Sequence, residues 1–200
     1  YTFNEWLESE RNLDCHIFAE AVKLADLAEV FDALEPSTVI VPNDEAFNQL
    51  FSEMGISSIR EFEPVVLKEI LSYLIMSQRY ISTDMQDGAV IAAQNLIDKP
   101  LYLSRKSSSG NRLQMYVNMH VPSGVKNFAA TTATVVMQDV AFKDHVAQIV
   151  SNVPYFKEYT LKTDSYKGEP NTDQVFEIPT EADTYLAKTR PESPFDLTLN

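Results

Sequence analysis

Apolar residues recur at helical spacing through the first third of the chain, and a period of two takes over past its middle. Phe3, Trp6 and Leu7 share one face of a short helix, and Thr2 and Glu5 have capping-box spacing at its start. Asp14 is placed to cap a second helix with the face Ile17, Phe18, Ala21, Val22 and Ala25. Asp26 and Glu29 repeat the capping-box spacing, which predicts a break near Asp26 and a third helix carrying Leu27, Val30, Phe31 and Leu34. Pro36 ends that helix.

The stretch from Ser37 to Leu50 then packs three signals together. Thr38 to Val41 is a β-branched apolar run, which predicts a buried strand. Pro42 cannot continue a central ladder, so the strand stops there. Asn43 or Asp44 caps the next helix, and Ala46, Phe47 and Leu50 form its apolar face. Gly55 marks a turn. Pro64 suits the first turn of a further helix, and Val65, Leu67, Ile70, Leu71 and Leu74 leave it little polar surface.

Strands are predicted from Ile75 to Ser82 and from Leu96 to Leu103, with Asp87-Gly88 as a turn between them. Ser107 to Asn111 has the composition of a hairpin tip. Leu113, Met115 and Val117 alternate with Gln114, Tyr116 and Asn118, as in a half-buried strand. Residues 119–130 read as a loop insertion, followed by strands from Thr131 to Met137 and from Val146 to Val150. Helices first and strands later argue an α+β fold. Residues 1–153 form one domain on this reading. Residues 154–200 hold half of the ten prolines with weak apolar periodicity, and read as a Pro-rich acidic extension or linker.

Composition narrows the function. An apolar fraction of 44% supports a real core, and a formal charge of −13 argues against a free-standing nucleic-acid binder. No stretch approaches the roughly 20 apolar residues of a membrane span. The chain starts at Tyr1 with no signal-like segment, so an export signal or lipid anchor would lie outside it. Cys15 is the single cysteine, which forbids an internal disulfide, and no Asn-x-Ser/Thr glycosylation site occurs.

Catalytic constellations are not apparent. His16, His120 and His145 have no metal-ligand spacing, and His145 reads as a turn residue beside Asp144. Cys15 and His16 are adjacent, and adjacent helical side chains point about 100° apart. Asp84 and Asp87 read as solvated loop charges. No cofactor, metal or catalytic residue is predicted. Exposed aromatics are the better interaction signal: Tyr155, Phe156 and Tyr159 cluster near the domain end, either docked on the domain's own sheet or open to a partner. His120 and Phe128, in the insertion, are the other candidates.

Thr38-Val39-Ile40-Val41-Pro42-Asn43-Asp44-Glu45-Ala46-Phe47 closely resembles the first signature of the fasciclin-like, or FAS1, family. Leu71-Ser72-Tyr73-Leu74-Ile75, followed by Tyr80-Ile81-Ser82, resembles its Leu-x-Tyr-His segment. Val136-Met137-Gln138-Asp139-Val140, then Asp144-His145-Val146 and Gln148-Ile149-Val150, resembles its second signature. The resemblance covers residues 1–153 and departs at Leu74 and Gln148, where the family usually has His, and at Ser151, where it has Asp. It implies a FAS1-type fold, with N-terminal helices packed on a β-sandwich-like pair of short sheets and rearranged buried hydrogen bonds at the departures. It also implies a non-enzymatic extracellular or cell-surface adhesion module, such as that of a bacterial surface lipoprotein. Its partner would be a surface or matrix protein or polysaccharide. A small-ligand carrier and a structural spacer are the alternatives. Tyr73 matches the Tyr of the family's adhesion-linked segment, with a core residue as the favoured reading.

Overall fold

The computed structural model describes residues 1–110 and 112–156. Its first helix, α1 (Phe3–Glu8), forms as the capping box dictates. Thr2 Oγ1 accepts from the Glu5 amide, Glu5 Oε1 accepts from the Thr2 amide, and Phe3, Trp6 and Leu7 are buried. Helix α2 (His16–Leu24) is capped differently from the expectation at Asp14. Leu13 and Asp14 turn through left-handed backbone at φ 57° and 58°. The orphan amides are met from elsewhere: Asn12 Oδ1 accepts from Cys15 at 3.3 Å, and Asp44 Oδ1 accepts from Ile17 at 2.7 Å. Asp26 breaks the chain as predicted, at φ 57°, but the capping box with Glu29 does not form, and α3 (Ala28–Ala33) starts from Leu27 without a side-chain cap.

Strand β1 (Ser37–Pro42) and helix α4 (Asp44–Met54) follow the predicted plan. Asn43, rather than Asp44, supplies the cap, its Oδ1 accepting from the Ala46 amide at 2.9 Å. Gly55 ends α4 at φ 73°, where a side chain would be strained. Helix α5 (Pro64–Tyr73) buries Val66, Leu67, Ile70 and Leu71, while Val65 turns out to solvent.

The later strands depart more. The run from Ile75 to Ser82 yields only β2 (Ile75–Met76). Thr38 Oγ1 donates to Gln78 O and accepts from Tyr80 N, so the chain peels off the ladder there. The predicted strand from Leu96 to Leu103 is replaced by β3 (Ala89–Ala92) and β4 (Tyr102–Ser107). Asn95 causes this. Its side chain bonds the amides of Ile97 and Lys99 and the carbonyl of Lys99, folding 95–99 into a turn before Pro100. Strand β5 is Leu113–Val117, β6 is Ala133–Ala141 and β7 is His145–Val150. Asn118 is buried rather than outward-facing, because it bonds Tyr73, Tyr102 and Thr131. Strand β6 begins later and runs further than predicted, through bulges near Met137 and at Asp139, where φ is 58°.

The strand order is β2-β1-β7-β6-β5-β4-β3, with β1 and β7 parallel and the other neighbours antiparallel. The sheet curls into two short halves that share β6: Ala133 and Thr134 pair with β5, and residues from Val135 to Ala141 pair with β7. Each half faces its own core. Val39, Val41, Ala147 and Ile149 pack under the helices with Phe3, Phe18, Phe31 and Phe47. Ile40 and Val150 point the other way, onto Tyr73, Leu74, Leu103, Met115 and Val117. The pair β1–β7 is therefore buried on both faces, and its polar members Ser37, Thr38, His145 and Gln148 are buried with its apolar ones.

Candidate functional site

The polar interior comes first, because it separates structural groups from available ones. His145 is fully buried, not a turn residue. Its Nε2 lies 2.7 Å from Phe31 O and its Nδ1 2.9 Å from Ser37 Oγ. A carbonyl only accepts, so Nε2 carries the proton and Nδ1 accepts from Ser37. The imidazole ties α3, β1 and β7 together. Gln148 does the same on the other face. Its Nε2 donates to Asp139 Oδ1 at 2.8 Å and to Tyr80 O at 3.1 Å, and its Oε1 accepts from Asp139 N at 2.9 Å. Asp139 also accepts from the Ser82 amide and hydroxyl. Burial raises the Asp139 pKa, but these hydrogen bonds outweigh it and hold the carboxyl below its usual range. Leu74, fully buried, needs no partner.

Tyr73 also belongs to the interior. It has no exposed surface, and its hydroxyl donates to Pro100 O at 2.7 Å and accepts from Asn118 Nδ2 at 3.1 Å. Burial pushes its pKa up. Phe156 is buried against Tyr73, ring centroids 5.0 Å apart, so the aromatic cluster at the domain end docks partly on its own fold. Tyr155 stays half exposed, and Tyr159 lies outside the described residues. Cys15 is buried, and desolvation with the nearby Asp44 and Asp14 pushes its thiol up to about 12. Among the described residues, no group of three His, Cys, Asp or Glu side chains could hold a metal ion.

His120 and Phe128 each lie against an outward ring of β4 or β5, and Phe128 also docks on the sheet core and on Phe156, ring centroids 5.9 Å apart. On β4 and β5, Leu103, Met115 and Val117 point into the core, so Tyr102, Ser104, Lys106, Gln114 and Tyr116 occupy the outer face. The 119–130 loop folds back over it. His120 Nδ1 lies 2.9 Å from Ser104 Oγ, and its ring meets Tyr116 edge-on at 5.3 Å. Phe128 meets Tyr102 at 5.1 Å. Ser104, though outward-facing, is thereby fully covered. Partial burial and the neighbouring Lys106 both lower the His120 pKa.

The charge on this surface stands out against the chain. From Lys99 to Gln138 the sequence has five cations (Lys99, Arg105, Lys106, Arg112 and Lys126) and no carboxylate. Residues 1–63, which build α1 to α4, have fourteen carboxylates and three cations. Lys106, Arg112 and Lys126 are exposed, as is Met119. Sequence reasoning missed Tyr102, Ser104, Lys106 and Tyr116 because the net charge averages the two regions. A running count of Asp and Glu would have found the segment.

The described residues thus form a small helical layer on a curled, two-halved sheet, with an aromatic and cationic outer face on β4 and β5. Residues 13–154 match the Fasciclin domain family, and the chain belongs to that family. Its fold resembles that of a FAS1 domain pair from the insect cell adhesion molecule fasciclin I. The TM-score is 0.53 at 19% sequence identity, over 71% of this chain and 45% of that one, so the chain spans less than half of that structure. No curated protein sequence matches. Fasciclin domains are generally adhesion and interaction modules of extracellular or surface proteins. No helix among the described residues is long and apolar enough to cross a membrane.

Proposed function

We propose that this fasciclin domain is a non-enzymatic adhesion module of the cell surface or extracellular space, holding a surface or matrix protein or polysaccharide on the outer face of β4 and β5. The observation that carries this reading is the 119–130 loop laid over a face of Tyr102, Tyr116, His120 and Phe128, rimmed by exposed Lys106 and Lys126. Half-exposed aromatics supply contact area at low entropic cost, and interfaces are enriched in them and depleted of Asp and Glu. The surrounding cations add steering toward an acidic partner.

The test is retention of the full chain on immobilised surface polysaccharides, matrix proteins and whole cells. Saturable retention that persists at moderate salt, and falls in the triple variant Lys106→Glu, Arg112→Glu, Lys126→Glu, supports the face as the contact surface. Retention unchanged in that variant moves the contact elsewhere, and no retention on any support leaves a spacer. Cell fractionation of the native protein tests the location separately: an intracellular pool alone rules out surface display.

A further inference from the structure

A cleft of about 290 Å³ lies between α4 and the strand ends, and it shares no residue with the outer face. Its volume is at the small end of the range for ligand pockets. Helix α4 contributes Ala46, Gln49, Leu50 and Glu53, which fall on one helical stripe. Ala130 and Val153 complete an apolar, buried floor with Ala46 and Leu50.

The rim is polar, and its groups divide into spent and available ones. Thr131 Oγ1 is spent, donating to Val153 O at 2.9 Å and accepting from Tyr155 N at 2.8 Å. Gln49 Oε1 accepts from Asn152 Nδ2 at 2.7 Å, which orients the Gln49 amide and leaves its N–H donors available. The Glu53 carboxylate, the Thr132 hydroxyl and the Tyr155 hydroxyl have no hydrogen-bond or ion-pair partner among the described residues. Among the described residues, Glu53 is the only charged group lining the cleft.

An apolar floor under a rim of hydroxyl, amide and carboxylate groups matches a ligand with one C–H face and hydroxylated edges. We infer that the cleft binds a single sugar ring, and that a sugar bearing an ammonium binds best because Glu53 faces it. A uronic acid would meet Glu53 as a like charge and is rejected. The site stands independently of the outer-face reading.

The test uses the full chain and three probes with related rings: glucosamine, glucose and glucuronate. Backbone amide shifts are followed by NMR during titration. The expected result is saturable shifts confined to residues 46–53, 130–132 and 152–155, in the order glucosamine, glucose, glucuronate. Glu53→Gln, at an exposed position, should weaken glucosamine by about two- to fivefold, the range of an exposed ion pair, and bring it to the glucose value. Lys106→Glu should leave all three titrations unchanged, which separates this site from the outer face. No saturable shift with glucosamine, equal shifts with glucuronate, or an unaltered glucosamine affinity in Glu53→Gln would each overturn the assignment.

Discussion

The helical layer and the β4–β5 face meet water in opposite ways. The helices bury Phe3, Phe18, Phe31 and Phe47 and turn outward with Glu5, Glu8, Glu29, Asp32 and Glu45, all exposed. Such a surface repels its like and keeps the molecule dispersed. Strands β4 and β5 contribute no carboxylate of their own, the one that reaches them being Asp87, which accepts from Ser107 at the end of β4 beside Lys106; the face keeps its rings half exposed and is crossed by a loop. Both regions cover a well-packed core, so stability does not demand the difference. Solvation accounts for the first surface, and recognition is the reading that accounts for the second.

The most disruptive way to break this comparison is to remove what the two regions share. Ile40 lies on β1, flanked by Val39 and Val41, which serve the helical core, while its own side chain fills the sheet core with no exposure. Ile40→Ala should cost about 2–5 kcal/mol in urea unfolding, through lost burial and a cavity that β1, held between β2 and β7, cannot collapse. A cost under about 1 kcal/mol would mean that the two cores are not joined through this strand.

Asp139 gives the next effect. Its folded-state pKa lies below the ordinary 3.8, so its contribution is fully present above that pH and is lost as pH falls through the folded value. Asp139→Asn tolerates the left-handed backbone but loses an acceptor for Ser82 or Gln148. It should lower stability by about 1–3 kcal/mol at pH 7 and flatten the acid limb of the stability profile. An acid limb identical to that of the parent would assign the acid sensitivity to other carboxylates.

How much of this could be read in advance follows the range of each interaction. Thr2 with Glu5, the β1 run with Pro42, and Asn43 before Ala46 act within a few residues, and the sequence states them directly. Asp14 and Asp26 have the right spacing for caps but adopt left-handed backbone, because Asp44 reaches α2 from across the fold and Leu27 opens α3. Asn95 cancels a strand with one amide side chain, which periodicity does not register. His145 looks like a turn residue until Ser37 and Phe31 arrive from more than a hundred positions away. The outer face had the same obstacle. His120 and Phe128 are apparent as loop residues, but Ser104, Tyr116 and Tyr102 become their neighbours only through the β4–β5 register.

The remaining predictions concern charge alone, and they separate the two surfaces most sharply. Reversing Lys106, Arg112 and Lys126 should change stability by no more than about 0.5 kcal/mol, since all three are exposed. The same variant should lose most of the partner retention. Reversing Glu8, Glu10 and Glu29 to Lys, also exposed, should be equally neutral for stability and should leave retention unchanged. The two triple variants alter net charge by the same magnitude in opposite directions, so a fall in the first matched by a rise in the second would trace retention to total charge. A fall confined to the first variant ties it to the local field around Tyr116 and His120. Salt distinguishes them further. At a screening length of about 8 Å in physiological buffer, the helical charges are too screened to act on a partner seated beyond that distance, while Lys106 acts at contact. Retention of the parent chain should therefore weaken with salt only down to the part that its aromatic contacts still hold at moderate salt, and that of the Lys106, Arg112 and Lys126 variant should sit near that lower level and be nearly salt-independent.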